Sequence, residues 1–379
     1  MPFFDILAKS EGNKARAGIL NLPTGKVQTP VFMPIGTVGS VKSLTTLDLQ
    51  FLGAEIILSN TYHLWLRPDM EIIEAAGGLH KFMNWEGPII TDSGGFQAFS
   101  LAKIRHFDEE GVTFQSHLNG ETRFLSPEKS MQIQTSLGTN IALVLDECLP
   151  AEVDKETARQ AMLRTRRWAK RSRTEYERLR EIKQHDNLLF GIPQGAQFIE
   201  LREESARLTM ELGFPGYSIG GVANGGEPEE VMYQQVLAQT EILEDEKPRH
   251  LLGVGTPKDL VQMTARGIDM FDCVMPTRNA RHGGLFTTVD DNSYATIRIK
   301  NEKYKFDFTP INPNSRFPEL RTYTKSYLRH LFIAKELLYF RLATLNNLEF
   351  YLDLMQTIRI RIMDGSFGQW WEGYHENKI

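Results

Sequence analysis

Three aspartates stand within or just after short apolar runs: Asp92 after PIIT, Asp146 after NIALVL, and Asp272 inside MFDCVMP. Carboxylates in such segments are costly to bury unless they are used. Each could cap a helix or bind a backbone amide, but that explanation weakens when three fall at equivalent places. Other chemistries find no support nearby. The nine histidines show no ligand spacing with the acids. Gly94-Gly95 is followed by no Gly-Lys-Ser/Thr, and Ser93 lacks the G-x-S-x-G setting of a hydrolase elbow. What remains is carboxylate chemistry, with one aspartate as nucleophile and another as proton shuttle, as in retaining glycosyl transfer.

The elements that must position these groups recur with a period. Eight apolar runs lie between residues 31 and 275: VFMPIG, EIILSN, PIITDSGG, NIALVLDE, LLFGIPQG, GYSIGG, HLLGVG and MFDCVMP. Continuous rather than alternating apolarity indicates strands buried on both faces, as in parallel sheets. Amphipathic segments separate them, with Pro228 and Pro257 at helix starts and Gly213 and Gly267 at helix ends. The pattern predicts an α/β fold, a (β/α)8 TIM barrel spanning about 30–280. A doubly wound open sheet is the alternative, but its glycine-rich first turn is missing.

An insertion between the third and fourth runs carries Asn119-Gly120 as a hairpin turn. A long basic helix follows near Arg164–Arg173. Residues 281–379 read as short strands and then helices from about Tyr323, within one domain covering 1–379. The barrel rule places active sites at strand C-termini. That gathers Asp92, Asp146, Glu147, Gln194, Gly220, Gly221, Gly253, Gly255 and Asp272 at one mouth.

Composition limits the setting. Only two cysteines occur, Cys148 and Cys273, which excludes a disulfide framework and a cysteine-based zinc site and fits a reducing cytoplasm. No apolar run approaches the ~20 residues of a membrane span, and no signal peptide is visible at Met1-Pro2-Phe3. The net charge is −5, yet residues 276–330 hold ten basic and five acidic side chains. Backbone phosphates respond to such local patches.

The ordered strings NTYHLWLRP (60–68), TDSGGFQ (91–97), LDEC (145–148), GIPQG (191–195), IGGVA (219–223), LLGVG (251–255) and DMFDCVMPTRNAR (269–281) resemble the motifs of tRNA-guanine transglycosylases. The resemblance covers nearly the whole chain. It implies exchange of the wobble guanine of GUN anticodons for preQ1 or queuine through a covalent aspartyl-ribosyl intermediate. By this similarity Asp272 is the nucleophile and Asp92 the general acid/base, supported by Ser93 and Asn60. Asp146, Gln194 and the Gly221 amide read the base edge, while Phe96 and Leu252 sandwich its ring. Arg278 and Arg281 contact the RNA flanking the target. The partners implied are a tRNA anticodon stem-loop and a 7-deazaguanine base, and a homodimer is expected through Tyr323, Tyr327 and His330. A base edge with adjacent N–H donors and one carbonyl independently suits a carboxylate beside an amide.

Two departures stand out. The family's C-x-C-x2-C…H zinc ligands fall on Ser315, Phe317, Leu320 and Asn346, so no zinc and no other cofactor is expected, and packing by Phe317 and Leu320 replaces the metal clip. The loop after Gly221 reads VANGGE, longer and richer in glycine than the bacterial pattern. With the Val222 carbonyl and Glu227 as contacts, it resembles the form that admits bulky queuine. Two other readings are a non-catalytic partner subunit and a DNA-directed deazaguanine transglycosylase.

Overall fold

Each of the eight apolar runs supplies one three-residue parallel strand, and all but Leu188 of their residues are buried. The computed structural model describes residues 2–101, 104–150, 152–222 and 228–378. The strands form two four-stranded sheets. One runs in the order Leu188–Phe190, Ile141–Leu143, Ile89–Thr91, Ile57–Ser59; the other runs Tyr217–Ile219, Arg249–Leu251, Met270–Asp272, Val31–Met33. The ladders thus differ from the single closed sheet expected. At the two seams only isolated parallel bridges occur, Ile35 with Leu58 and Gly191 with Tyr217. Pro34 and Pro193 lie at these seams, and a proline has no N–H to extend a ladder. The architecture is mixed α/β with parallel sheets.

Helices follow the strands as their punctuation dictates. Pro257 opens the helix Pro257–Ala265, and the Thr256 hydroxyl caps it by accepting from Asp259 N, a cap of about 1 kcal/mol. Pro228 stands one residue before the helix Glu229–Thr240. Gly213 and Gly267 take left-handed φ of 66° and 90° where the chain leaves its helices. The basic helix extends over Lys155–Lys183. Its arginines are occupied by acids: Arg164 and Arg167 grip Glu109, and Arg171 grips Glu128. This docks the inserted three-stranded sheet, Arg105–Phe107, Val112–Gln115 and Thr122–Leu125, whose Gly120 has φ 74°.

Past the last parallel strand, Gly284–Asp290 and Ser293–Arg298 form an antiparallel pair, joined by His375–Asn377. Beneath them runs the 27-residue helix Leu337–Met363. Its buried Asn347 donates to Pro276 O and Gly284 O, both at 2.9 Å, and Tyr351 OH donates to Gly255 O at 2.6 Å. These bonds fix the segments leaving the last two strands. The Trp370-Trp371 tail has a structural place: Trp370 is buried and donates to Asp291 O at 2.7 Å.

At the positions where the resemblance sets zinc ligands, Phe317 and Leu320 are buried, as is Asn346, which donates to Phe286 O at 3.0 Å. Ser315 donates to the buried Glu349 carboxylate at 2.5 Å, and Arg316 N and Nε reach the same carboxylate at 2.6 and 3.1 Å. Apolar packing is therefore joined by a polar anchor at Glu349. Tyr323 falls outside the helix Lys325–Ala334 that carries Tyr327 and His330, although its ring still lies 5.2 Å from that of Tyr327. The helix expected from about Tyr323 starts at Lys325 because the Thr324 hydroxyl caps it by accepting from Tyr327 N.

Candidate active site

A cavity of about 510 Å³ opens at the C-terminal ends of the strands, and Asp92, Asp146 and Asp272 all line it. Parallel strands make this convergence a matter of direction: Asp272 ends its strand, Asp92 directly follows its own, and Asp146 lies three residues past Leu143. Phe96, Val222, Leu252 and Arg278 share the lining. A second cavity, about 560 Å³, lies between Leu52–Glu55 and the helix Leu337–Met363, away from the aspartates.

Asp92 is held by three donors. Asn60 Nδ2 and Gln97 Nε2 reach its Oδ2 at 2.5 and 2.8 Å, and Thr61 N reaches Oδ1 at 2.8 Å. Burial raises its carboxyl to about 6, assisted by the charge of Asp272 and opposed by these donors. A carboxyl near 6 exchanges protons readily close to neutral pH.

Asp146 is buried and accepts from Gln194 Nε2 at 2.6 Å, Ser93 Oγ at 3.0 Å and Cys148 Sγ at 3.4 Å. Burial raises its carboxyl above the usual range, against those bonds. Ser93 therefore supports Asp146 through its hydroxyl rather than Asp92. Its neighbour Glu147 turns away and pairs with Arg164 at 2.7 Å.

Gly221 takes φ 65°, and a Cβ there would collide with the Gln194 amide. Its carbonyl accepts from the fully buried Arg202, which also donates to Gly220 O at 3.1 Å and Ala196 O at 2.7 Å. The Gly221 N–H has no acceptor among the described residues. Phe96 is half exposed, Leu252 partly exposed, and Val222 buried. Glu227 and most of the VANGGE loop lie outside the described residues.

Asp272 is buried; its Oδ1 lies 2.8 Å from His250 Nε2 and accepts from Gly253 N at 3.3 Å. The helix Met275–Arg281 follows directly, carrying an exposed Arg278 at the rim; Arg281 is half-buried and donates to Thr277 O at 3.1 Å.

Four contributors escape sequence reasoning: His250, Gln97, Thr61 and Arg202. His250 opens the HLLGVG run, and a polar residue at the start of an apolar strand is the one signal that marks it. Arg202 sits in an ordinary amphipathic helix, Ile199–Met210, and carries no signal.

Three convergent carboxylates, one tuned to about 6, beside an amide and a backbone N–H without an acceptor among the described residues, define a site for acid–base and nucleophilic chemistry on a polar ring. Comparison with known proteins makes this specific. The family described as Queuine tRNA-ribosyltransferase matches residues 11–378. The chain is 49% identical to the queuine tRNA-ribosyltransferase of Neisseria meningitidis over 372 residues, covering 98% of this chain and 97% of that protein. It is likewise 49% identical to those of Pelotomaculum thermopropionicum, over 96% and 95% of the two chains, and Francisella tularensis subsp. novicida, over 97% and 96%. The chain belongs to the queuine tRNA-ribosyltransferase family.

Proposed function

We propose that this enzyme exchanges the wobble guanine of GUN-anticodon tRNA for preQ1 or queuine, a pentosyl transfer, with Asp272 as nucleophile and Asp92 as general acid/base. Family membership supports the reaction, and the shared cavity of the three aspartates carries the residue assignment. Asp272 attacks C1′ while the C1′–N9 bond breaks and Asp92 delivers a proton to the departing guanine. The incoming base then gives a proton to Asp92 and attacks C1′, and the carboxylate leaves. Two inversions retain configuration.

Asp146, Gln194 and the Gly221 amide hold the donor and acceptor edges of the base, with Ser93 orienting Asp146. Phe96 and Leu252 cover its faces, and the target nucleotide must leave its stack to reach them. The family resemblance makes the Val222 carbonyl and Glu227 the contacts for the substituent on the incoming base. The glycine-rich loop resembles the form that admits queuine, and exchange assays with both labelled bases decide between queuine and preQ1. Arg278 and Arg281 engage the anticodon loop, and the basic span 276–330 engages the backbone.

We read the chain as one domain in which the two sheets are halves of one eight-stranded barrel, supported by the two seam bridges. We further propose a cytoplasmic homodimer without zinc, in which Ser315, Phe317, Leu320 and Asn346 serve in place of the clip. No helix among the described residues is long and apolar enough to cross a membrane.

Incubation with an anticodon stem-loop, followed by denaturing gel and mass spectrometry, tests the assignment. A covalent RNA adduct is expected from the wild type and none from Asp272→Asn. An adduct that survives that substitution overturns it.

A further inference from the structure

His250 and Ser218 stand side by side in register on adjacent parallel strands, both completely buried. His250 Nε2 is 2.8 Å from Asp272 Oδ1, and Ser218 Oγ is 3.0 Å from His250 Nδ1. Gly253 N–H reaches the same Asp272 oxygen at 3.3 Å. Both donors thus converge on Oδ1, and among the described residues none reaches Oδ2.

A carboxylate that attacks carbon must be ionised, and an ionised carboxylate only accepts hydrogen bonds. Nε2 of His250 therefore carries a proton. In a neutral ring the other nitrogen is then an acceptor. Ser218, whose hydroxyl can donate, supplies the hydrogen bond that this nitrogen accepts. An imidazolium in this place would hold the charge of Asp272 through a charge-assisted bond and blunt its attack.

We infer that Ser218 and His250 form a positioning relay that locks the imidazole in its neutral Nε2–H tautomer, ties down Oδ1 of Asp272, and leaves Oδ2 as the attacking oxygen. The inference rests on the assignment of Asp272 as nucleophile. His250 touches no reacting atom; it acts through Asp272. In the first half-reaction the Oδ2–C1′ bond forms as the bond to guanine breaks, and the base leaves with the electron pair and a proton from Asp92. No proton crosses His250, and the imidazole ends the step as it began.

The rate follows from geometry. A reacting oxygen displaced by about 1 Å loses on the order of 100-fold in rate. His250→Leu should therefore lower kcat on the order of 100-fold, with KM for tRNA and base changed by less than about twofold. His250→Gln, whose amide N–H can donate in place of Nε2, should recover most of the loss. The ring itself is read by 15N NMR of histidine-labelled wild-type enzyme, assigned by the signals missing in His250→Gln. One protonated and one unprotonated nitrogen are expected.

Two protonated nitrogens, or a normal kcat in folded His250→Leu while Asp272→Asn is inactive, overturn the relay alone. Activity in Asp272→Asn overturns the nucleophile itself. Should His250→Leu not fold, Ser218→Ala serves: a change in the ring signals with reduced kcat supports the relay, and unchanged signals with normal kcat refute it.

Discussion

Gln194 gives an amide proton to Asp146 across 2.6 Å, while Ser93 fills the other oxygen of the same carboxylate at 3.0 Å. The acceptor and the amide hold each other in place, which in the proposed reaction would preorganise them for the edge of the base. Asp146→Asn should lower kcat/KM for the incoming base by about 100-fold, the loss of one hydrogen bond to a charged group plus a misdirected Gln194. Steady-state exchange kinetics check this; a change below about threefold would mean that the edge is read elsewhere.

With Asp92 as the proposed general acid/base, its carboxyl should set the pH behaviour of each half-reaction. Its carboxyl is raised to about 6, so the acid form dominates below that pH and the carboxylate above it. Adduct formation needs the acid form and should fall as pH rises through about 6. Adduct consumption needs the carboxylate and should fall as pH drops through the same value. Gln97 donates to the charged form, so Gln97→Met should move both profiles upward. Single-turnover rates across pH 5–8 provide the measurement, and a flat profile in either phase excludes Asp92 from that step.

Arg278 is exposed at the cavity rim and carries no ion pair among the described residues. Arg316, Lys325 and Arg329 of the same basic span are each engaged with acids. Arg278→Ala should weaken tRNA binding, and if its contact is to phosphate it should reduce the salt dependence by about one ion. Fluorescence titration of a labelled stem-loop at several salt concentrations reads the slope. An unchanged slope with altered discrimination at the flanking nucleotide would assign Arg278 to base reading instead.

The segment around Ser315 is fastened by Glu349, whose carboxylate collects the Ser315 hydroxyl and the Arg316 N–H and guanidinium. Glu349→Leu leaves these groups without their partner and should cost about 3 kcal/mol in urea unfolding. Chelation should leave Tm unchanged, since binding of a metal to the folded form would otherwise raise it. A Tm that falls in EDTA would restore a metal to this subdomain.

Much of this site could be read before any coordinates. The eight runs became eight strands because continuous apolar segments bounded by glycine and proline have one stable use, burial on both faces. Asp92, Asp146, Gln194 and Asp272 followed, since parallel strands carry their C-terminal residues to one end. Glu147 did not follow: one step along the chain turned it from the cavity to Arg164. The resemblance implies that Ser93 supports Asp92, yet its hydroxyl reaches Asp146, which lies 53 positions away.

Taken alone, the amino-acid order determined which residues had to be buried, where helices began and ended, and which carboxylates shared one end of the strands. Those properties are local, set by periodicity, capping and backbone conformation. Only the tertiary structure decided most of what holds each carboxylate: His250 and Gly253 on Asp272, Thr61 and Gln97 on Asp92, and Arg202 behind Gly221. Hydrogen-bond partners depend on ångström distances between segments remote in the chain, and neither residue type nor spacing encodes such distances.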